Sequence, residues 1–180
     1  IRVSPDGKTW YIADMMSNGV YVVDGERFAQ IDYVKTSTGA HGLYPSRDGT
    51  KLYIANRGSN KIHAPPKGPG GVSVLDFATR KIVAEWPIPG GGSPDMGNVS
   101  ADGKQLWLSG RYDDAVYVID TDTGAVARAE SALAVDGSAA ALELAEAGAA
   151  ATGAAARFAT RKSDAFAAME ALAPTGLALP

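Results

Sequence analysis

The sequence predicts an all-β fold assembled from small antiparallel sheets, and three observations carry this prediction. One phrase occurs three times, as SPDGKTWYIAD at 4–14, SRDGTKLYIAN at 46–56 and SADGKQLWLSG at 100–110. Each copy contains an Asp-Gly pair, in which glycine supplies the positive φ that a tight hairpin turn requires. Each copy then continues into a short run of apolar and aromatic residues, and a run of this length and composition between turn signals favours a strand.

The rest of each unit follows in the same order. A second run ends in aspartate, as GVYVVD at 19–24, GVSVLD at 71–76 and AVYVID at 115–120. A short turn and a third run, such as IVAEWPI at 82–88, close the unit. A repeat period near 40 residues with several strands per unit is typical of a β-propeller blade. We therefore expect about three four-stranded propeller blades across residues 1–128.

The middle unit is longer than the others because of one local insertion. The segment KIHAPPKGPG at 61–70 is rich in proline and glycine, which cannot continue the hydrogen-bond ladder of a sheet. We expect a loop between two strands of the middle blade, with His63 in it as a solvated side chain. The aspartates that end the second run recur in register, which predicts that they cap the following turns. These are Asp24, Asp76 and Asp120.

The repeat stops after about residue 128. Residues 129–180 form an alanine-rich segment that we expect to be helical or disordered, with helices at 138–151 and 163–173 because alanine, leucine, glutamate and methionine are strong helix formers. Three interpretations are open. The segment is a native helical appendage that covers an open blade edge, a weakly structured tail, or a tail that does not belong to the reading frame of the propeller.

Composition restricts the possible functions. The formal net charge is −3, which gives no basic footprint for nucleic acid. No apolar run approaches the roughly 20 residues that a membrane span needs. The chain has no cysteine and two histidines, so we assign neither a metal nor a cofactor to it from the sequence.

The candidate site lies in loops that should share one face of the propeller. His41 and Asp95 occupy corresponding places where a loop opens the middle and the third blade. Arg57, Arg111 and Tyr112 follow the second strand of those blades, and loops of this kind often carry binding residues. We predict a ligand-binding site at the mouth of the central channel. The alternative, left open by the sequence, is that these residues have only structural roles in solvated loops and turns.

The repeated phrases, together with TGAHGL at 38–43 and GGGSPDMGNVS at 90–100, resemble the YVTN family of β-propeller repeats, which includes YncE-like and surface-layer proteins. The resemblance covers about residues 1–128. It implies a closed propeller, commonly of seven blades, and a periplasmic or extracellular location. The blades beyond the three would then lie outside this chain, and three blades by themselves should be poorly soluble or oligomeric.

Family resemblance does not imply one activity, so two functions remain open. The first is a non-catalytic binding or scaffold protein that presents loops from one face to a small ligand or a protein partner. The second is an enzyme or a cofactor-bearing propeller, lactonase-like or redox, with its site at the channel mouth near His41, Arg57 and Asp95.

Overall fold

The computed structural model describes residues 1–61, 68–113, 115–129, 132–136 and 158–162. Every regular element among these residues is a β-strand. The chain divides into two units, Ile1–Arg128 and Ala129–Pro180. Between Arg2 and Ala129, twelve strands form three four-stranded sheets, and in each sheet the strands follow one another in chain order. This is the architecture of propeller blades, and the predicted all-β fold is confirmed.

The second and third strands have six residues in every blade, whereas the innermost and outermost strands differ in length. The first blade contains β1 (Arg2–Val3), β2 (Thr9–Asp14), β3 (Gly19–Asp24) and β4 (Ala29–Lys35). The second contains β5 (Ala40–Pro45), β6 (Lys51–Asn56), β7 (Gly71–Asp76) and β8 (Lys81–Pro87). The third contains β9 (Pro94–Val99), β10 (Gln105–Gly110), β11 (Ala115–Asp120) and β12 (Val126–Ala129). Successive strands of a blade are antiparallel wherever the pairing is described.

Alternation along the strands builds two separate cores. In β6, Leu52 and Ile54 pack toward the first blade, whereas Tyr53 and Ala55 pack toward the third. Successive side chains of a strand point to opposite faces of the sheet, so a blade between two neighbours must be apolar on both faces. This explains why KLYIA and GVSVL lack the simple polar and apolar alternation of a half-exposed strand. The cores therefore lie between blades, and each blade depends on its neighbours.

The predicted turns and caps are confirmed. Gly7, Gly49 and Gly103 have φ values of 75°, 71° and 78°, as the Asp-Gly hairpins require. The aspartates that end the third strand of each blade accept backbone N–H groups from the turn that follows. They are Asp24, Asp76 and Asp120. Their role is structural, because the side chain replaces hydrogen bonds that the backbone of the turn cannot make with itself.

Two of the hairpin glycines, Gly49 and Gly103, lie against the neighbouring blade, which gives a first prediction. A Cβ on Gly49 would lie 3.1 Å from Pro5 Cγ of the first blade, whereas a Cβ on Gly7 would meet nothing within 4 Å. Gly7→Ala should lower the free energy of unfolding by about 1–2 kcal/mol through its positive φ alone. Gly49→Ala should lose up to about 1 kcal/mol more because Pro5 must move. Urea unfolding of both variants tests this, and equal losses would show that the seam accepts the extra methyl group.

A second prediction concerns the acid stability of the same turn. The Ser46 hydroxyl lies 2.6 Å from Asp48 Oδ1, and the Thr50 backbone N–H and hydroxyl donate to the same oxygen. These bonds, that from Ser46 first, lower the pKa of Asp48 from 3.8 to about 2. A lowered folded-state pKa means that the ionised carboxylate stabilises the fold above pH 4, and that this contribution is lost as the pH falls toward 2.

The measurement is an NMR titration of the Asp48 carboxyl. Ser46→Ala should raise the pKa of Asp48 toward 3.8, because the largest contribution is removed. Ser4→Ala is the matched control, since Ser4 donates to Asp6 in the corresponding turn of the first blade. It should leave Asp48 unchanged, and a shift of Asp48 in that variant would contradict the assignment.

The second unit contains two described strands. They are β13 (Ala132–Asp136) and β14 (Phe158–Lys162), which pair in parallel with Ala132 opposite Phe158. The helices predicted at 138–151 and 163–173 lie outside the described residues, and so does His63.

Candidate functional site

The candidate site is built from two sets of corresponding positions in the repeat. His41 and Asp95 are each the second residue of the innermost strand in their blade, β5 and β9. Arg57 and Arg111 each come directly after the second strand, β6 and β10. In an antiparallel pair, the start of one strand lies beside the end of the next. Ala40 accordingly pairs with Asn56, and Pro94 with Gly110.

Each of the two innermost strands contains a β-bulge. The bulges displace His41 and Asp95 from the regular hydrogen-bond ladder. In β5, Ala40 and Gly42 pair with Asn56 and Ala55, so His41 is the extra residue. In β9 the register shifts in the same place, between the Pro94 and Gly97 pairs, where Asp95 lies. Bulges re-aim side chains and are frequent beside binding sites.

Backbone hydrogen bonds hold the loops of each blade together. The Arg57 N–H donates to the Gly39 carbonyl at 3.0 Å, and the Arg111 N–H donates to the Ser93 carbonyl at 2.9 Å. In the third blade, Asp113 Oδ2 also accepts the Ser93 N–H at 2.6 Å. Each arginine is therefore attached to the loop that opens its own blade, next to the bulged residue of that blade.

Gly42 allows the innermost strands of the second and third blades to approach each other closely. A Cβ at this position would lie 2.5 Å from Tyr44 Oη and 2.6 Å from the Asp95 carbonyl oxygen. The buried Tyr44 hydroxyl donates to that carbonyl at 3.0 Å. Burial raises the pKa of Tyr44, so the phenol stays protonated and keeps its donor. Tyr44 thus fixes the backbone of Asp95 from the neighbouring blade.

Asp95 is the centre of an ionic cluster that joins the two blades. Its Oδ1 lies 2.6 Å from His41 Nδ1, and its Oδ2 lies 2.9 Å from an Arg111 Nη atom and 3.9 Å from Arg57 Nε. The His41 imidazole thus lies against the Asp95 carboxylate, although the contact does not have the geometry of a hydrogen bond. The Asp95 side chain is 4% exposed, compared with 38% for His41 and 37% for Arg111.

Tyr112 completes the cluster. Its hydroxyl oxygen accepts a hydrogen bond from Arg111 Nε at 3.0 Å and lies 3.4 Å from an Arg57 Nη atom. The Arg111 guanidinium carbon is 5.4 Å from the centre of the Tyr112 ring. Asp95 first, and then the Tyr112 hydroxyl, raise the pKa of Arg111, so this guanidinium stays charged at any physiological pH.

All five residues predicted from the sequence therefore meet in one place. The cluster contains His41, Arg57, Asp95, Arg111 and Tyr112. Sequence reasoning missed Met15 of the first blade, whose sulfur lies 3.2 Å from an Arg57 Nη atom. Met15 follows β2 just as Arg57 follows β6 and Arg111 follows β10, so its register in the repeat could have identified it.

Among the described residues, no group of three or more histidine, cysteine or acidic side chains is placed to hold a metal ion. The same part of the chain contains no helix that is long and apolar enough to cross a membrane.

The closed hairpin blades, the cores between them and the loop cluster on one face define a repeat protein of the β-propeller class. The family profile described as YNCE-like β-propeller matches residues 6–141, which is most of the chain. The chain belongs to this family, as the repeated phrases predicted. The match continues past residue 128, where the repeated phrases end.

Solved structures show the same fold. Hydrazine synthase from Kuenenia stuttgartiensis is 25% identical with a TM-score of 0.58, over 70% of this chain and 33% of that one. Dihydro-heme d1 dehydrogenase NirN, solved in complex with DHE, is 23% identical with a TM-score of 0.54, over 73% and 26%. A proposed 6-phosphogluconolactonase from Bacteroides fragilis is 20% identical with a TM-score of 0.52, over 71% and 36%.

The chain thus spans about a third of the length of the solved propellers that it resembles. No curated protein sequence matches it. The neighbours include enzymes by name, but likenesses of 20% and 23% identity show the fold alone.

Proposed function

We propose that this protein is a non-catalytic binding propeller, and that the cluster of His41, Arg57, Asp95, Arg111 and Tyr112 is its ligand site. The observation that carries this proposal is the convergence of polar side chains from two strands and two loops of two blades at one end of the sheets. Such an arrangement adds little to the stability of a solvated loop. A binding site needs a few polar groups held in fixed positions.

The cluster combines buried, fixed ions with accessible side chains. Asp95 and Arg57 are almost completely buried, whereas the side chains of His41 and Arg111 are more than a third exposed. The buried ions hold the exposed groups in place, and the exposed groups are available to a small ligand or to a side chain of a protein partner. Rigid support beneath an accessible surface lowers the entropy that a ligand must lose on binding.

The test is a ligand screen by thermal shift and NMR, with anionic, neutral and cationic metabolites and short peptides. His41→Ala and Tyr112→Ala should each weaken a specific ligand at least tenfold. Arg27→Ala is the control, because Arg27 is 80% exposed in the turn between β3 and β4, at the other end of the sheet. A screen in which every ligand binds both site variants as well as the wild type would overturn the proposal.

One observation favours a second candidate, a hydrolytic enzyme. His41 Nδ1 lies 2.6 Å from Asp95 Oδ1, and an imidazole held by a carboxylate in this way can act as a general base through Nε2. Hydrolysis of a panel of lactones and esters, abolished in His41→Ala, would establish this function in place of the first. The periplasmic or extracellular location implied by the family resemblance stays a prediction.

A further inference from the structure

The Arg57 guanidinium is a buried cation without a strong hydrogen-bond acceptor. Its side chain is 4% exposed, and its Nε has no hydrogen-bond partner among the residues that the structure describes. One Nη atom contacts the Met15 thioether at 3.2 Å, and the other lies 3.4 Å from the Tyr112 phenol oxygen. A thioether is a weak acceptor, and 3.4 Å is long for a hydrogen bond. A buried charge normally needs close, charged partners to offset the loss of hydration.

Asp95 does not supply what Arg57 lacks, because neither of its oxygens lies within hydrogen-bond distance of the Arg57 guanidinium in the described residues. Oδ1 contacts His41 at 2.6 Å and Oδ2 contacts Arg111 at 2.9 Å, which leaves Arg57 at 3.9 Å, beyond hydrogen-bond distance. Two guanidinium groups, those of Arg57 and Arg111, face the single Asp95 carboxylate. A second, negatively charged hydrogen-bond acceptor would complete the cluster.

We propose that the ligand of this site is an oxyanion, a carboxylate or phosphate group that Arg57 and Arg111 hold together. This inference rests on the proposed function and adds the chemical class of the ligand. A guanidinium group presents paired N–H donors that match both anions. The Arg57 Nε–H is the donor that the ligand would satisfy. The Tyr112 hydroxyl bridges the two arginines, and the Tyr112 side chain is partly exposed.

Inorganic phosphate and acetate are the probes, added to the wild-type protein at constant ionic strength. The measurement is the Nε–H signal of Arg57 in ¹H–¹⁵N spectra. We expect a saturable downfield shift of this signal with at least one of the two anions. A stronger response to phosphate would indicate a phosphorylated ligand, and a stronger response to acetate a carboxylic acid. Absence of a saturable shift with both anions would overturn the inference.

Variants make the test specific. Arg57→Gln should weaken anion binding at least tenfold, and Arg57→Lys should keep the charge but lose most of the affinity, because lysine lacks the paired donors. Arg27→Gln removes the same charge from an exposed turn at the other end of the sheet and should bind like the wild type. Equal anion affinity in Arg57→Gln and the wild type would refute the assignment. A neutral or cationic ligand that needs His41 and Tyr112 would also refute it, while the proposed binding function would stand.

Discussion

Asp95→Asn is expected to lower the free energy of unfolding by about 3–5 kcal/mol, the range found when one partner of a buried ion pair is removed. Asparagine has nearly the same shape as aspartate, so the loss would come from charge and not from packing. It would leave Arg57, 4% exposed, and Arg111 without their shared carboxylate. Denaturant unfolding followed by circular dichroism measures the difference.

Two further variants separate this effect from a general loss of charge. Asp32→Asn, at an exposed position of β4, should change stability by no more than about 0.5 kcal/mol. Arg57→Met in the Asp95→Asn background should recover part of the loss, because it removes the buried cation that the first substitution isolates. If the double variant is destabilised by the sum of the two single effects, Asp95 does not stabilise the protein through Arg57.

Leu52→Ala is expected to lower the free energy of unfolding by about 2–5 kcal/mol, as large-to-small substitutions in well-packed cores do. Leu52 is 0% exposed in the central strand β6 and belongs to the core between the first and second blades. The cavity would open at the contact that joins two blades, so the change would weaken the association of the sheets as well as the second blade itself. The same unfolding measurement applies.

Val83→Ala is the control for the loss of apolar volume. Val83 lies in the outer strand β8 and is 57% exposed, at a register shift that turns it out of the ladder. Its substitution should change stability by no more than about 0.5 kcal/mol. Similar losses in Leu52→Ala and Val83→Ala would contradict the location of the core between the blades.

The fold could be predicted from the sequence because its signals are local and repeated. An Asp-Gly pair specifies a hairpin turn through the φ of one glycine, and Asp24, Asp76 and Asp120 cap turns within three residues of themselves. A single short apolar run could be a strand or part of a buried helix, and three copies in register remove this ambiguity. The same register placed the five candidate residues in loops on one face of the propeller.

The pairing within the site could not be predicted in this way. Nothing in the sequence shows that His41 and Asp95 leave the ladder at bulges, or that Tyr44 fixes the Asp95 carbonyl from the neighbouring blade. Met15 was missed because a methionine in a loop has no chemical signature of its own. Its register after β2 gave its position, but only its contact with Arg57, 42 residues away in the chain, shows that it belongs to the cluster.

The repeat, the turn chemistry, the apolar faces of each strand and the loops that carry polar residues can be derived from the sequence alone, because each of these depends on residues close in the chain. Which of those residues touch, which charge is buried and which acceptor is lacking become visible only in the folded structure. Those properties depend on distances of a few ångströms between separate blades. At that scale the burial of Arg57 and the geometry of Asp95 follow from how two sheets pack, and patterns among residues close in the chain do not reveal them.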